Sequence, residues 1–297
     1  MNAVPEPAFG EQLNDAQREA ATYGHSDERR FKSGPLLIIA GAGTGKTNTL
    51  AHRVAHLLLS GVHPERIALM TFSRRAATEM LLRAETITNR SVAARSARSV
   101  DATRRMWSGT FHSIANRLLR EFAGTIGMEP TFSVIDRGDS GDLIDIQRQA
   151  LSLGKLGKRF PRKDTCLAIY SHRVNTRASL EDTLENAYPW CAEWEPELNT
   201  LFRKYVAAKQ SQQMLDYDDL LLYWHALVQE PSVAEVIGSR FDHVLVDEYQ
   251  DTNTLQAEIL LALKPEGEGL CVVGDDAQSI YSFRAATVDN ILGFADK

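Results

Sequence analysis

The chain has 297 residues, 43% of them hydrophobic and 24% charged, with a net charge of −6. That length supplies one large core or two modest ones, and its apolar runs 36–40 and 244–246 fall far short of the roughly 20 residues a membrane span needs. The opening MNAVPEPAFGEQ carries acid and proline where a signal peptide has basic and apolar residues, and the scattered Cys166, Cys191 and Cys271 fit neither a disulfide framework nor a zinc site. The cysteine pattern suits a reducing cytoplasm.

PLLIIA (35–40) reads as a buried strand, and AGAGTGKT then opens the amphipathic pattern TLAHRVAHLLL. Strand, glycine-rich turn and helix in that order are the context of a phosphate-binding loop. Gly41, Gly43 and Gly45, with Ala42 and Thr44 between them, let backbone N–H groups close around phosphate oxygens at a helix N-terminus. Lys46 would reach the β and γ phosphates, and the Thr47 hydroxyl would hold Mg²⁺. Ala40 stands where the motif has its first glycine, and a chance glycine-rich turn is the plain alternative. His52 and His56 are spaced like zinc ligands, but H-R-V-A-H lacks a metalloprotease glutamate and reads as one face of the helix.

IALMTF (67–72) is a second strand, ending at Phe72. Ser73, Arg74 and Arg75 follow at the start of the helical pattern RRAATEMLLRAE. Beyond it lie Arg90, Arg95, Arg98, Arg104 and Arg105, with Asp101 the sole acid among them. MWSGTF (106–111) is a third strand and brings Thr110 and His112 to the start of HSIANRLLREFA. From 112 to 239 the pattern is helix after helix, broken at GMEPTF, LGKLGKRFPRKD and ENAYPWCAEWEPE, with no central strand. The second break holds Lys155, Lys158, Arg159, Arg162 and Lys163. For both basic clusters, solvated loops and phosphate-contacting faces remain open. In LDYDDLLLYWHAL, Asp216, Asp218 and Asp219 resemble part of an acidic metal site, yet also suit an ordinary helix start.

HVLVDE (243–248) ends a fourth strand in two carboxylates. Asp247 would bind Mg²⁺ through its hydration shell, and Glu248 would orient and deprotonate an attacking water. A base at that position favours ATP hydrolysis over phosphoryl transfer to another acceptor; a solvated acidic turn is the alternative. LCVVGD (270–275) is a fifth strand, followed by Gln278, an amide suited to sensing a γ-phosphate, and by Tyr281, Phe283 and Arg284. Alone, that last group reads as core packing with a salt bridge. All five apolar runs are continuous rather than alternating, as in parallel strands covered on both faces. The fold class expected is an α/β doubly wound sheet with an inserted helical subdomain. The boundaries expected are 1–111 with 240–297 for the α/β domain and 112–239 for the insertion. Aromatics and cations at several strand ends would line one groove at the carboxyl edge, which suits single-stranded nucleic acid.

AGAGTGKT, TFSRRAATEM, GTFHSIANRLLR, LDYDDLL, LVDEYQDTN and VVGDDAQSIYSFRAA, in this order, resemble the UvrD/Rep/PcrA DNA helicases of superfamily one. The resemblance implies a RecA-like first motor domain, ATP and Mg²⁺ as cofactors, and 3′→5′ movement on single-stranded DNA or at duplex junctions. It implies that Phe72, His112 and Phe283 touch DNA, with Ser73, Arg74, Arg75, Thr110 and Tyr281 beside them. Gln278 would couple γ-phosphate to that DNA, and Arg284 joins the ATP contacts. The family's adenine-reading glutamine matches Gln17 in LNDAQREA, where a capping box between Asn14 and Gln17 is the competing reading. Asn48 stands where many relatives carry an adenine-stacking arginine, and Arg75 where lysine is common. The resemblance also implies a second motor domain in the parent protein, so that this chain alone is expected not to unwind DNA. A module that binds ATP and DNA without hydrolysis is the second reading. A phosphate-loop kinase unrelated to DNA is the third, and it leaves the aromatic strand ends unexplained.

Overall fold

The computed structural model describes residues 9–27, 30–41, 43–92, 103–155 and 159–275. Its centre is a five-stranded sheet built from β1 (Leu36–Ile39), β2 (Ile67–Met70), β3 (Trp107–Gly109), β4 (His243–Val246) and β5 (Leu270–Gly274), in the spatial order β1-β5-β4-β2-β3. Every neighbouring pair is parallel. These are the five runs read from the sequence, and their parallel pairing is the expected one.

The continuous apolar character of the strands follows from the layers above and below them. Alternate residues point to opposite faces. On one face Ile67, Leu69, Leu245, Cys271 and Val273 pack against α2 (Lys46–Leu59) and α3 (Arg74–Val92). On the other, Ala68, Met70, Val244, Val246, Leu270 and Val272 pack against four further helices. These are α4 (Phe111–Glu121), α9 (Tyr217–Gln229), α10 (Pro231–Gly238) and α11 (Thr254–Leu263). β2, β4 and β5 are buried along their whole length, whereas β1 at the sheet edge is only half-buried.

A second apolar cluster lies apart from the sheet. It is made by α5 (Arg137–Ala150), α6 (Lys163–Thr176), α7 (Leu180–Ala187) and α8 (Glu195–Ser211), around Ile144, Cys166, Ile169, Leu198, Leu201 and Tyr205. A two-residue parallel ladder joins Ser133–Val134 to Met214–Leu215 where the chain enters and leaves this cluster. The sequence gives no sign of it, because two residues carry no periodicity.

The acids of LDYDDLL form a helix start. Asp216 is the N-cap of α9, and its side chain and that of Asp219 make a reciprocal capping box. Among the described residues no group of three or more His, Cys, Asp or Glu side chains is placed to hold a metal ion between them. Lys209 of α8 is buried and donates to Asp216 and Asp219, while the Tyr205 hydroxyl donates to Asp216 at 2.6 Å. Burial and then the neighbouring Asp216 carboxylate push Asp219 up to about 7. Removing the one cation from this knot leaves buried carboxylates facing each other. Lys209→Met is therefore expected to cost about 3–5 kcal/mol of stability, read as a lowered urea midpoint. An unchanged midpoint would show that the knot contributes nothing net.

Candidate nucleotide and nucleic-acid edge

In a parallel sheet all strands end on the same side, so the five carboxyl ends form one edge. Along it stand, in spatial order, the loop after β1, Asp275 after β5, Asp247 and Glu248 after β4, Phe72 after β2, and Thr110 and His112 after β3. The strand order thus sorts the sequence candidates into two groups. Loop and carboxylates share one end, and aromatic and cationic residues the other.

The loop end is built around Lys46. Gly43 and Gly45 sit at φ +75° and +89°, the left-handed region that side chains rarely adopt, and Gly45 caps α2. At Gly45 a Cβ would also come within 2.9 Å of the Gln17 side chain. Thr44 Oγ1 donates to the Gly41 carbonyl at 2.7 Å, which closes the turn. Lys46 Nζ donates to the Ala40 carbonyl at 2.8 Å and to Asp275 at 3.0 Å. This ammonium is largely buried and Asp275 almost wholly so. Thr47 and Asn48 follow in the first turn of α2, both half-buried. Orphan N–H groups, a positive helix end and a lysine converge there, and together they can hold polyphosphate.

Gln17 makes the capping box that the sequence left open and also reaches the glycine-rich loop. Its Oε1 accepts from the Asn14 amide at 3.0 Å and its own amide donates to Asn14 Oδ1 at 2.9 Å, the capping box of α1 (Asp15–Thr22). Its Nε2 also donates to the Thr44 carbonyl at 2.7 Å, in the phosphate loop. A carboxamide has two N–H donors and two acceptor lone pairs. Beside these bonds it keeps one donor and one acceptor, the pair that matches the N7 and N6 positions of adenine.

At the end of β4, Asp247 is buried and its amide donates to the Met70 carbonyl at 2.9 Å. Burial, then the Glu248 carboxylate, pushes its pKa up to about 6, against the pull of the Glu248 amide and of Lys46. Glu248 has φ +52°, a conformation costly for a residue with a side chain. Gln250, which the sequence reading did not single out, holds it: its Nε2 donates to Glu248 Oε2 at 2.6 Å, and its Oε1 accepts from the Asp275 amide at 3.0 Å. Gln250 is buried and so joins the β4 carboxylate to the end of β5.

At the other end of the edge, Phe72, Ser73, Arg74 and Arg75 are exposed. Ser73 Oγ accepts from the Ala76 amide at 3.1 Å, and Thr110 caps α4 by accepting from Ser113. His112 meets Tyr217 edge to face at 5.7 Å. Tyr217 is 46% exposed, an aromatic the sequence reading passed over because it opens a helix remote in sequence. His52 and His56 pack on Phe9, and Nδ1 of His52 bonds the Asn48 carbonyl at 2.8 Å, so this pair belongs to helix packing. Of the basic clusters, Lys163 pairs with Asp142. Ala42, Gln278, Tyr281, Phe283 and Arg284 lie outside the described residues, as do Arg95, Arg98 and Lys158.

The chain matches the family model for the UvrD/REP helicase N-terminal domain over residues 13–297. It is 34% identical over 291 residues to an ATP-dependent DNA helicase PcrA of Staphylococcus epidermidis, an alignment covering 97% of this chain and 36% of that protein. A protein of the same name from Staphylococcus aureus is 33% identical over 271 residues, covering 91% of this chain and 35% of its own length. The chain thus spans about a third of the length of these curated relatives. With the family model matched over nearly the whole chain, the chain belongs to the UvrD/REP helicase N-terminal domain family.

Proposed function

We propose that the chain carries the ATP-hydrolysing site and part of the single-stranded DNA track of a helicase that moves 3′→5′. The observation that carries this reading is the sorting of the sheet edge, with Lys46, Asp247, Glu248 and Asp275 at one end and Phe72, His112 and Tyr217 at the other. The polarity is drawn from the family resemblance. Gly41, Gly43, Thr44, Gly45 and Lys46 enclose the phosphates, Gln17 reads the base, and Glu248 takes a proton from the attacking water. Gln278, Arg284 and the aromatics Tyr281 and Phe283 extend the two sites by the same resemblance. Unwinding itself would need a second motor domain that closes on the ATP.

Mg²⁺ fits the acidic corner. Asp247 and Thr47 supply hard oxygen ligands, and a divalent cation would offset both the burial of the Asp247 carboxylate and the adjacent Glu248 charge that together raise its pKa. When bound, the ion would neutralise charge on the β and γ phosphates. The protein's own part is to hold the Glu248 side chain through the Gln250 bridge.

The inserted subdomain is proposed to be the α5–α8 cluster, roughly 134–214, rather than all of 112–239. Helices α4, α9 and α10 share the core of the sheet.

Exposed aromatics that stack on bases contribute about 1–3 kcal/mol each. Phe72→Ala and Tyr217→Ala are each expected to weaken binding of a labelled oligothymidylate by about 5- to 100-fold at low salt. Fluorescence anisotropy reads this directly. Unchanged affinity in both variants would remove this edge from the DNA track.

A further inference from the structure

Helix α1 is too short to hold its own position. At eight residues it is marginal as an isolated helix, and Ala21 is its only fully buried residue. Apolar packing therefore does little to fix it, although its first turn carries Gln17. Its N-terminal end is tied to the phosphate loop by the Gln17–Thr44 bond. Its C-terminal end has no basic residue of its own to meet the last carbonyls.

Arg53 supplies that cation from α2. It lies two turns beyond Lys46 and is 1% exposed. One guanidinium nitrogen, Nη1, donates to the Ala20 carbonyl at 3.2 Å and to the Tyr23 carbonyl at 2.9 Å. The other, Nη2, donates to Ser33 Oγ at 3.0 Å. The planar fork thus spans the end of α1 and the segment that leads into β1, a reach a single ammonium cannot reproduce. α1 is tied at both ends, by Gln17 to the loop that would hold the phosphates and by Arg53 to α2, which starts at that loop.

We propose that Arg53 is a positioning residue for base selection: by fixing the far end of α1 it sets where the remaining donor and acceptor of Gln17 point. The proposal rests on the reading that Gln17 contacts adenine. It predicts a split. Loss of the clamp relaxes discrimination between adenine and guanine, whose O6 accepts where adenine N6 donates, and leaves the grip on the phosphates intact. A merely structural arginine would weaken all nucleotides alike.

The test is a competition assay on the whole chain, in which ATP, GTP and tripolyphosphate displace a fluorescently labelled ATP. Arg53→Lys is expected to lower the preference for ATP over GTP by about fivefold, the size of one neutral hydrogen bond. Tripolyphosphate affinity should stay within about twofold, below the effect of losing any one such bond. Gln17→Ala should lose the same preference, and the double variant no more than Gln17→Ala alone, since the two residues act in series. Should circular dichroism show Arg53→Lys unfolded, Ser33→Ala, which removes only the acceptor of Nη2, takes its place in the same cycle.

An Arg53 variant as selective as the original overturns the proposal, as does an additive loss in the double variant or a matching loss of tripolyphosphate affinity. An original chain that binds ATP and GTP equally would instead overturn the adenine reading, and this proposal with it.

Discussion

Glu248→Gln is expected to lower DNA-stimulated ATP turnover by about 10²- to 10⁴-fold, the usual contribution of a positioned general base, while nucleotide affinity changes little. The reason lies in how the side chain is held. Glu248 occupies a left-handed backbone position directly after Asp247, and the Gln250 amide donates to its Oε2. A glutamine at 248 keeps the shape and can still accept that bond through its carbonyl oxygen, so the geometry survives and only the proton acceptor is lost. Turnover measured beside equilibrium binding of labelled ATP separates the two. A fall in turnover of less than about tenfold would place the base elsewhere, because it lies below the range for such a group.

Lys46→Ala should behave differently, losing binding as well as rate. Contacts between an ammonium and phosphate oxygens are charge-assisted, and such bonds contribute about 1.5–3 kcal/mol, or about 10- to 100-fold in affinity. The further charge that develops on the transferred phosphoryl group adds to the rate effect, for a total of about 10²–10³ in kcat/KM. The fold makes a second demand on this residue. Lys46 is a partner of the almost wholly buried Asp275, so its removal should also lower the thermal midpoint. Turnover in Lys46→Ala within tenfold of the original would remove the loop from the chemistry.

The two residues illustrate what sequence can and cannot carry. The loop, the paired carboxylates and all five strands are legible because each is local: glycines at a strand end, acids after an apolar run, and continuous burial wherever helices cover both faces. What brings them together is not local. β5 inserts between β1 and β4, and only that order lets Asp275 pair with Lys46 and lets Gln250 reach the Asp275 amide. Gln250 read on its own is one more polar residue in a turn. Tyr217 likewise reads as a helix start until α9 sets it against His112. Lys209 and Arg53 are long cations within helices, yet each is buried where two elements meet. At Gln17 two readings that looked exclusive are compatible, because one carboxamide has enough donors and acceptors for both.

The most direct measurement is steady-state ATP turnover as the protein is titrated with a single-stranded oligonucleotide, with Lys46→Ala alongside. If one sheet edge serves both ligands, turnover rises with the oligonucleotide and the rise disappears in Lys46→Ala. Turnover that the oligonucleotide leaves unchanged would contradict the account.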